Sequence, residues 1–232
     1  MGIGNWFHGL SSLFFPNTCL QCAHPIDRAQ DLLCISCERG LPLTDSWQMS
    51  ENDLTDRLAG RLPVTFAAAA YIFREGTVCQ QLIHSLKYHN RPDVGRLLGA
   101  RFGEVLTQAP ALSDLTGIVP VPVHNRRLQE RGYNQAEAIA TGLAAPLSLP
   151  VFPHALKRRS FKGSQTTRSK LERLENVRHS FTVGKGNFTD HHLLLVDDVM
   201  TTGATLDFCG NILLSAHPGL RLSIVTLALA EY

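Results

Sequence analysis

At 232 residues, of which 44% are hydrophobic, the chain can bury the core of one good-sized domain with a small appendage, which excludes a disordered or collagen-like protein. The net charge of +2 favours neither nucleic acid nor an anionic membrane as a partner of the whole surface, so any basic site must be local. No apolar run approaches the ~20 residues of a membrane-spanning helix, and we expect no transmembrane segment.

The first 15 residues contain six aromatic or leucine side chains but lack the basic start and the cleavage site of a signal peptide. Their spacing predicts a short helix with one apolar face, packed on its own domain or, as the lesser alternative, on a membrane surface or a partner. The six cysteines, four clustered and two isolated, do not follow the pattern of a disulfide framework. We therefore expect a reducing, cytoplasmic location.

Four of the cysteines form two Cys-x-x-Cys pairs separated by eleven residues. Each pair can present two thiolates to one tetrahedral ion, and four sulfur ligands suit zinc best, with an iron–sulfur cluster as the lesser alternative. Because so small a segment buries little core, the metal would supply its folding free energy. Such a module either has a structural role or contacts nucleic acid or protein. The predicted ligands are Cys19, Cys22, Cys34 and Cys37.

Apolar runs alternate with helical patterns from about residue 62 onward, which indicates strands that pair in parallel with helices between them. The predicted strands are 65–73, 117–123, 193–196 and 220–230, and the predicted helices are 77–88, 93–108, 134–143 and 206–215. We expect an α/β fold with a doubly wound parallel sheet at 60–232, joined through a polar, acidic boundary to a four-cysteine module at 1–55.

A string of acidic, small and hydroxylated residues, Val-Asp-Asp-Val-Met-Thr-Thr-Gly-Ala-Thr, begins at the end of the predicted strand 193–196, where we expect a turn. The two carboxylates can accept hydrogen bonds from the 2′- and 3′-hydroxyls of a ribose. The amides and hydroxyls after them converge on a helix N-terminus and suit a phosphate, and Gly203 lets the backbone approach it. The predicted ribose-phosphate site is Asp197, Asp198, Val199, Met200, Thr201, Thr202, Gly203, Ala204 and Thr205. A magnesium or phospho-acceptor site is the alternative, which the threonine loop disfavours.

Basic residues concentrate in two segments. One follows the strand predicted at 117–123, and the other, at 157–178, holds eight Lys or Arg and two Glu, a local charge of +6. We expect a mobile loop at 155–182 with a short helix at 170–177. The candidate ligands of a pyrophosphate or a nucleic-acid backbone are His124, Arg126, Arg127, Arg131, Lys157, Arg158, Arg159 and Lys162. For the first segment, the alternative is a solvated basic turn.

The string at 196–205 resembles the signature of type I phosphoribosyltransferases, which bind phosphoribosyl pyrophosphate. Four further strings and one segment agree with a narrower likeness: Leu-Phe-Phe-Pro at 13–16, Leu-Lys-Tyr at 86–88, Pro-Val-Pro at 120–122, Arg-Gly-Tyr-Asn-Gln at 131–135 and the segment 165–176. Together they resemble the ComF family of bacterial competence proteins, also called GntX-like. The likeness spans nearly the whole chain.

The resemblance implies a zinc-binding segment joined to a phosphoribosyltransferase-like domain that handles incoming DNA during natural transformation. One hypothesis is an enzyme in which Asp197 and Asp198 act with Mg²⁺ on phosphoribosyl pyrophosphate and an unknown acceptor. In type I phosphoribosyltransferases a flexible loop closes over the diphosphate, and the second basic segment occupies the corresponding place in this chain. A second hypothesis is a factor that grips single-stranded DNA or a nucleotide without turnover, and a third is an adaptor that contacts DNA-uptake proteins.

Overall fold

A computed structural model of the chain describes residues 18–26, 32–41, 44–158 and 180–231. Its strands are β1 (Phe66–Phe73), β2 (Gly117–Pro120), β3 (Leu156–Arg158), β4 (Phe181–Val183), β5 (His192–Met200) and β6 (Arg221–Ala230). Its α-helices are α1 (Ile35–Arg39), α2 (Asp53–Leu58), α3 (Val78–Tyr88), α4 (Pro92–Leu106), α5 (Asn125–Arg131), α6 (Gln135–Leu147) and α7 (Ala204–Ala216). Two 3-10 turns lie at Ser46–Gln48 and Pro110–Leu112.

Four of the strands form one parallel sheet in the order β1-β6-β5-β2. The two inner strands, β6 and β5, are almost continuously apolar and buried, as expected of strands covered on both faces. Because parallel strands share one direction, the residues after β2 and the last residues of β5 meet at the same edge. The predicted parallel α/β sheet is confirmed.

Helices cover both faces of the sheet. On one face α3, α4 and α6 bury residues such as Leu86, Leu98 and Ile139 against it, and the cluster includes Cys19 and Leu33 of the cysteine segment. On the other face α2 and α7 bury the apolar residues Leu54, Leu58, Leu206 and Leu213. From Leu222 to Leu227 the apolar residues of β6 alternate between the two clusters, as the two-residue period of a strand requires.

The acidic pair lies inside a strand and not in a turn, so the predicted turn after residue 196 is wrong. β5 continues to Met200 because β6 extends beside it, with Asp197 opposite Thr226 and Met200 opposite Leu229. Local sequence could not show this, since strand length depends on the neighbouring strand. β2 is shorter than predicted and ends at Pro120, whereas α6 is longer and runs through Pro146 to Leu147.

Besides the five-residue α1, two short helices were not predicted. α2 lies within the expected polar boundary and begins with a capping box between Asn52 and Thr55. α5 lies in the first basic segment, where the His124 ring accepts from the Arg126 amide at 3.2 Å and Gly132 ends the helix with φ 78°. Both helices span only about two turns, too few for an apolar period to stand out.

The ends of the second basic segment form an antiparallel ribbon, with β3 paired to β4. This corrects the expectation of irregular structure at both ends of the loop at 155–182. Residues 159–179, with the predicted helix at 170–177 and the candidates Arg159 and Lys162, lie outside the described residues, as does the predicted helix in residues 1–15. Over the described ranges, no helix has the length and apolar character needed to cross a bilayer.

Candidate functional site

Two acidic side chains lie near the carboxyl end of β5, an inner strand of the sheet. Burial, followed by the charge of Asp198, raises the pKa of Asp197 to about 7. The Asp198 amide donates to Asp197 Oδ1 at 2.9 Å. Lys87 Nζ, from the last turn of α3, lies 3.2 Å from Asp198 Oδ2. One carboxyl therefore ionises less readily than an ordinary aspartate, and the other faces a cation.

A cavity of about 320 Å³ opens beside the acidic pair. It is walled by the end of α3, the residues after β2, α5, the start of α6, and β3. Its lining residues are Lys87, Tyr88, Val121, Pro122, Val123, Arg127, Arg131, Asn134, Gln135, Ala136, Arg158, Asp197, Asp198, Val199 and Thr205. This size and this mixture of charges suit a small polar ligand.

The structure brings three of the predicted cations to this cavity and leaves three others away from it. Arg127, Arg131 and Arg158 line it together with both aspartates. His124 instead caps α5. Arg126 pairs with Glu130 along the exposed face of that helix at 2.8 Å, and Lys157 is exposed on β3.

Aromatic rings orient two of the three arginines in the cavity. The Arg131 guanidinium lies 5.3 Å from the centre of the Tyr88 ring, and the Arg158 guanidinium lies 4.7 Å from the centre of the Phe181 ring. Burial lowers the pKa of Arg158, although a guanidinium stays charged at neutral pH. These stacked cations are therefore partly ordered before any ligand arrives.

A second, smaller hollow of about 50 Å³ lies next to the first and shares Asp197 with it. Besides Asp197 it is lined by residues 199–206, which comprise the end of β5, a short turn and the first residues of α7. Gly203 is the N-cap of α7, and its own position provides no side-chain cap. The Ala204 amide donates to Thr202 Oγ1 at 3.4 Å, and the amides that follow it in this 13-residue helix can bind an anion. Gly203 has φ 77°, and a Cβ there would lie 2.7 Å from Met200 Cε. Backbone conformation and packing thus require this glycine, in addition to the expected approach of a ligand.

The four clustered cysteines converge as predicted. Their Sγ atoms all lie within 4.8 Å of one another, and the Sγ atoms of Cys22 and Cys34 are 3.7 Å apart. A tetrahedral ion with Zn–S bonds of 2.3 Å would hold its sulfurs about 3.8 Å apart, so these residues fit zinc. Burial raises the pKa of Cys19, but hydrogen bonds from backbone amides, first that of Cys34, outweigh it and lower that pKa to about 6, which favours a thiolate.

Three curated relatives are similar to the chain in sequence. Competence protein F of Haemophilus influenzae is 32% identical over 131 residues, which cover 54% of this chain and 57% of the relative. Competence protein ComFC of Bacillus subtilis is 33% identical over 110 residues, 47% of this chain and 43% of the relative. DNA utilization protein YhgH of Escherichia coli K12 is 26% identical over 217 residues, 87% of this chain and 92% of the relative.

The chain therefore resembles ComF-type competence proteins and DNA utilization proteins in sequence. The alignments with the two competence proteins span only about half the length of those relatives. No family model matches the chain.

Two solved structures are similar to this chain at a low level. Glutamine phosphoribosylpyrophosphate amidotransferase from B. subtilis superposes with a TM-score of 0.41 and 20% identity, covering 61% of this chain and 30% of that one. Hypoxanthine phosphoribosyltransferase from Trypanosoma cruzi gives a TM-score of 0.35 and 12% identity, and the match covers 62% of this chain and 78% of that one. The likeness is remote in both cases.

Three cations of the chain that sequence analysis missed hold the acidic strand and its loop. Arg57 Nη1 donates to the Thr201 carbonyl at 2.7 Å, and Arg61 Nη2 donates to the Thr202 carbonyl at 2.8 Å. These bonds hold two loop carbonyls against α2 and its C-terminal turn. Neither arginine is near the loop in sequence, and only tertiary packing reveals the contact.

Lys87 is the third missed cation. It belongs to the Leu-Lys-Tyr string at 86–88, which is part of the family resemblance, but the string alone does not indicate a function for this lysine. The Tyr133 hydroxyl donates to the Leu86 carbonyl and so ties the end of α3 to the start of α6. Because Tyr133 and Leu86 are 47 residues apart in the chain, no local sequence pattern indicates this hydrogen bond.

Proposed function

We propose that the chain binds phosphoribosyl pyrophosphate, or another ligand with a ribose 5-phosphate group, at Asp197 and Asp198. The observation that carries the proposal is the order of charges along the site. Free helix amides lie at one end, two carboxylates lie in the middle, and Arg127, Arg131 and Arg158 lie at the other. Phosphoribosyl pyrophosphate has the complementary order: a phosphate, a vicinal diol and a diphosphate.

The carboxylates are well suited to the diol. Asp197, with a pKa of about 7, can accept a hydrogen bond from a ribose hydroxyl or donate one to it near neutral pH. Asp198 offers oxygen atoms that are shared with Lys87 in the free protein. Carboxylate oxygens are also ligands that Mg²⁺ accepts, and the ion would neutralise the diphosphate when bound. Asp197 and Asp198 are the residues that would hold it.

We propose further that the chain catalyses transfer of the phosphoribosyl group. An acceptor of unknown class would displace pyrophosphate from the anomeric carbon while the arginines stabilise the leaving charge. The chain's own contribution is to orient the ribose through the acidic pair and the loop at 201–205. Asp197 and Asp198 are the proposed catalytic residues because they would touch the ribose next to the reacting carbon.

Calorimetry with phosphoribosyl pyrophosphate and Mg²⁺ tests the binding site. Asp197→Asn/Asp198→Asn should weaken binding by a factor on the order of ten or more, because two charged acceptors to the ligand are lost. Glu104→Gln/Glu137→Gln removes two exposed carboxylates elsewhere and should leave binding unchanged. Equal affinities for the wild type and the aspartate variant would contradict the proposed site.

The biological setting is proposed to be DNA uptake or DNA utilisation, since relatives carry the names competence protein and DNA utilization protein. The second candidate, single-stranded DNA binding without turnover, is favoured by the exposure of Arg127 and Lys157 beside the cavity. DNA-uptake proteins are the proposed protein partners, and the four-cysteine module is their candidate contact in the adaptor hypothesis.

Competition distinguishes the two candidates. If DNA occupies the same cavity, the affinity of the protein for a fluorescent single strand should fall steeply as the salt concentration rises. Phosphoribosyl pyrophosphate should also reduce this affinity. Arg127→Gln/Lys157→Gln should also flatten the salt dependence. If saturating phosphoribosyl pyrophosphate leaves DNA binding unchanged, the hypothesis that DNA binds in this cavity is excluded.

A further inference from the structure

A buried amide lies in the wall of the 320 Å³ cavity. Gln135, the first residue of α6, is 3% exposed and lines the cavity together with both aspartates. Its Oε1 accepts from Arg131 Nη1 at 2.9 Å. Its Nε2 is buried and has no hydrogen-bond partner. Leaving a buried amide NH₂ unpaired in this way destabilises the folded protein.

Arg131 fixes which end of this amide remains unpaired. The two ends of a glutamine amide have nearly the same shape, so their assignment follows from their partners. A guanidinium can only donate, and the atom that it contacts must therefore be the oxygen. The NH₂ group of Gln135 is thus the end without a partner, and it can only donate.

A second buried donor without a partner lines the same cavity. Arg158 Nε, on β3, is buried and unpaired. Over the described part of the chain, four buried side-chain atoms have no partner, and the other two, Gln21 Oε1 and His217 Nε2, line neither this cavity nor the hollow at 199–206. Two unpaired donors in one cavity indicate a ligand that brings acceptor oxygens.

The position of these donors assigns them to one end of the ligand. Gln135 and Arg158 line the large cavity but not the hollow at 199–206, where α7 offers its free amides. Arg127 and Arg131 belong to the same wall. A ligand with its 5-phosphate in the hollow and its diol on Asp197 would therefore direct its other end toward Gln135.

We propose that Gln135 Nε2 and Arg158 Nε donate to diphosphate oxygens, so that Gln135 makes the site select a ribose that carries a diphosphate over ribose 5-phosphate alone. This selection rests on the proposed function. Gln135 is a binding residue whose neutral NH₂ adds direction to the charge of the arginines, and Arg131 acts on the ligand partly by holding that amide in place.

Two substitutions separate the donor from the shape of the side chain. Gln135→Met keeps the length but loses the donor. Gln135→Glu keeps the acceptor for Arg131 and the planar shape but places an acceptor oxygen where the NH₂ was. Gln129→Met, on the exposed face of α5 outside the cavity, is the matched control. Thermal melting confirms that each variant is folded.

Calorimetry with Mg²⁺ and three probes provides the test: phosphoribosyl pyrophosphate, inorganic pyrophosphate and ribose 5-phosphate. Gln135→Met should lower the affinity for the first two on the order of tenfold, the loss of one hydrogen bond to a charged group. Gln135→Glu should lower it further because its carboxylate repels the anion. The affinity for ribose 5-phosphate should stay within about twofold, and Gln129→Met should change none of the three.

The outcomes distinguish this inference from the proposed function. If the wild type binds pyrophosphate but not phosphoribosyl pyrophosphate, and Gln135→Met weakens that binding, the proposed function fails and the donor pair stands. If the wild type binds none of the probes, both fail. The inference alone is overturned if the Gln135 variants bind every probe with the wild-type affinity, which is expected when water satisfies the amide. It is also overturned if the variants lose as much affinity for ribose 5-phosphate as for the two diphosphate probes.

Discussion

Asp197 is the residue on which most of the site's chemistry depends. It lies at a point shared by the large cavity and the phosphate hollow, on β5, directly after four buried apolar residues. Burial and the neighbouring charge of Asp198 together raise the pKa of Asp197 to about 7. A carboxyl held in this state costs stability when it ionises, which is typical of a functional site.

The first prediction follows from the sign of that shift. The ordinary pKa is 3.8, so between pH 3.8 and about pH 7 the folded chain binds more protons than the unfolded chain. The stabilising contribution is full below about pH 4 and is lost as the pH rises through 7. Asp197→Asn removes the ionisation and should stabilise the protein at pH 8, on the order of 2 kcal/mol, but hardly at pH 4. Thermal melting at both pH values measures this, and an equal change at the two would refute the shift.

Sequence analysis found those site residues that lie in continuous strings. The acidic pair and its loop could be predicted because strand, carboxylates and helix start follow one another within ten residues. Arg127 and Arg131 could be predicted because they follow a strand that ends at the same edge. Lys87 and Gln135 could not be assigned a role, since their partners lie on other elements.

At the scale of elements, α2 supports the phosphate loop from outside. Its apolar side, Leu54 and Leu58, is fully buried against the sheet. Its Arg57 and the following Arg61 hold the carbonyls of Thr201 and Thr202. Because these carbonyls point to α2, the loop is held in one conformation, and two positive charges lie behind the anion hollow.

The second prediction concerns this support. Arg57→Met/Arg61→Met should weaken the binding of ribose 5-phosphate on the order of fivefold, because the loop loses two charge-assisted hydrogen bonds that order it. Isothermal calorimetry measures the change. Arg96→Met, on the exposed side of α4, is the matched control and should have no effect. An unchanged affinity in the double variant would mean that the loop needs no such support.

The order of the larger helices and strands could be predicted from the periodicity of apolar residues. The residues at which these elements begin and end could not be predicted in this way. Helices α3, α4 and α7 have long apolar periods, and the structure confirms them. β5 extends past Val196 only because β6 pairs with it, and α2 is too short and polar to be recognised. The division at residues 55–60 stays a prediction; it falls at the end of α2.

At the scale of the whole molecule, the cysteine segment packs on the α/β core. Leu32, Leu33 and Leu41 are buried in the same apolar cluster as α3 and α4. Of the four cysteines that fit zinc, Cys19 belongs to this cluster, and Cys34 and Cys37 pack against it. A metal that orders this segment would therefore also complete the cover of one face of the sheet.

The third prediction is that the purified chain carries one zinc ion. Atomic emission should give about one zinc per chain for the wild type and for Cys79→Ala, and close to none for Cys22→Ser/Cys37→Ser. Loss of the metal should lower the melting temperature by several °C, on the order of 2 kcal/mol or more, because the leucines lose their anchor. Full zinc content in the double serine variant would exclude these ligands.

The central claim is that one continuous site receives a phosphate, a diol and a diphosphate in that order. A crystal structure of the chain with phosphoribosyl pyrophosphate and Mg²⁺ tests it most directly. The account predicts the 5-phosphate on the amides that follow Gly203, the ribose hydroxyls on Asp197 and Asp198, and the diphosphate facing Arg158. A ligand bound in the reverse direction, or at another surface while this cavity stays empty, would contradict it.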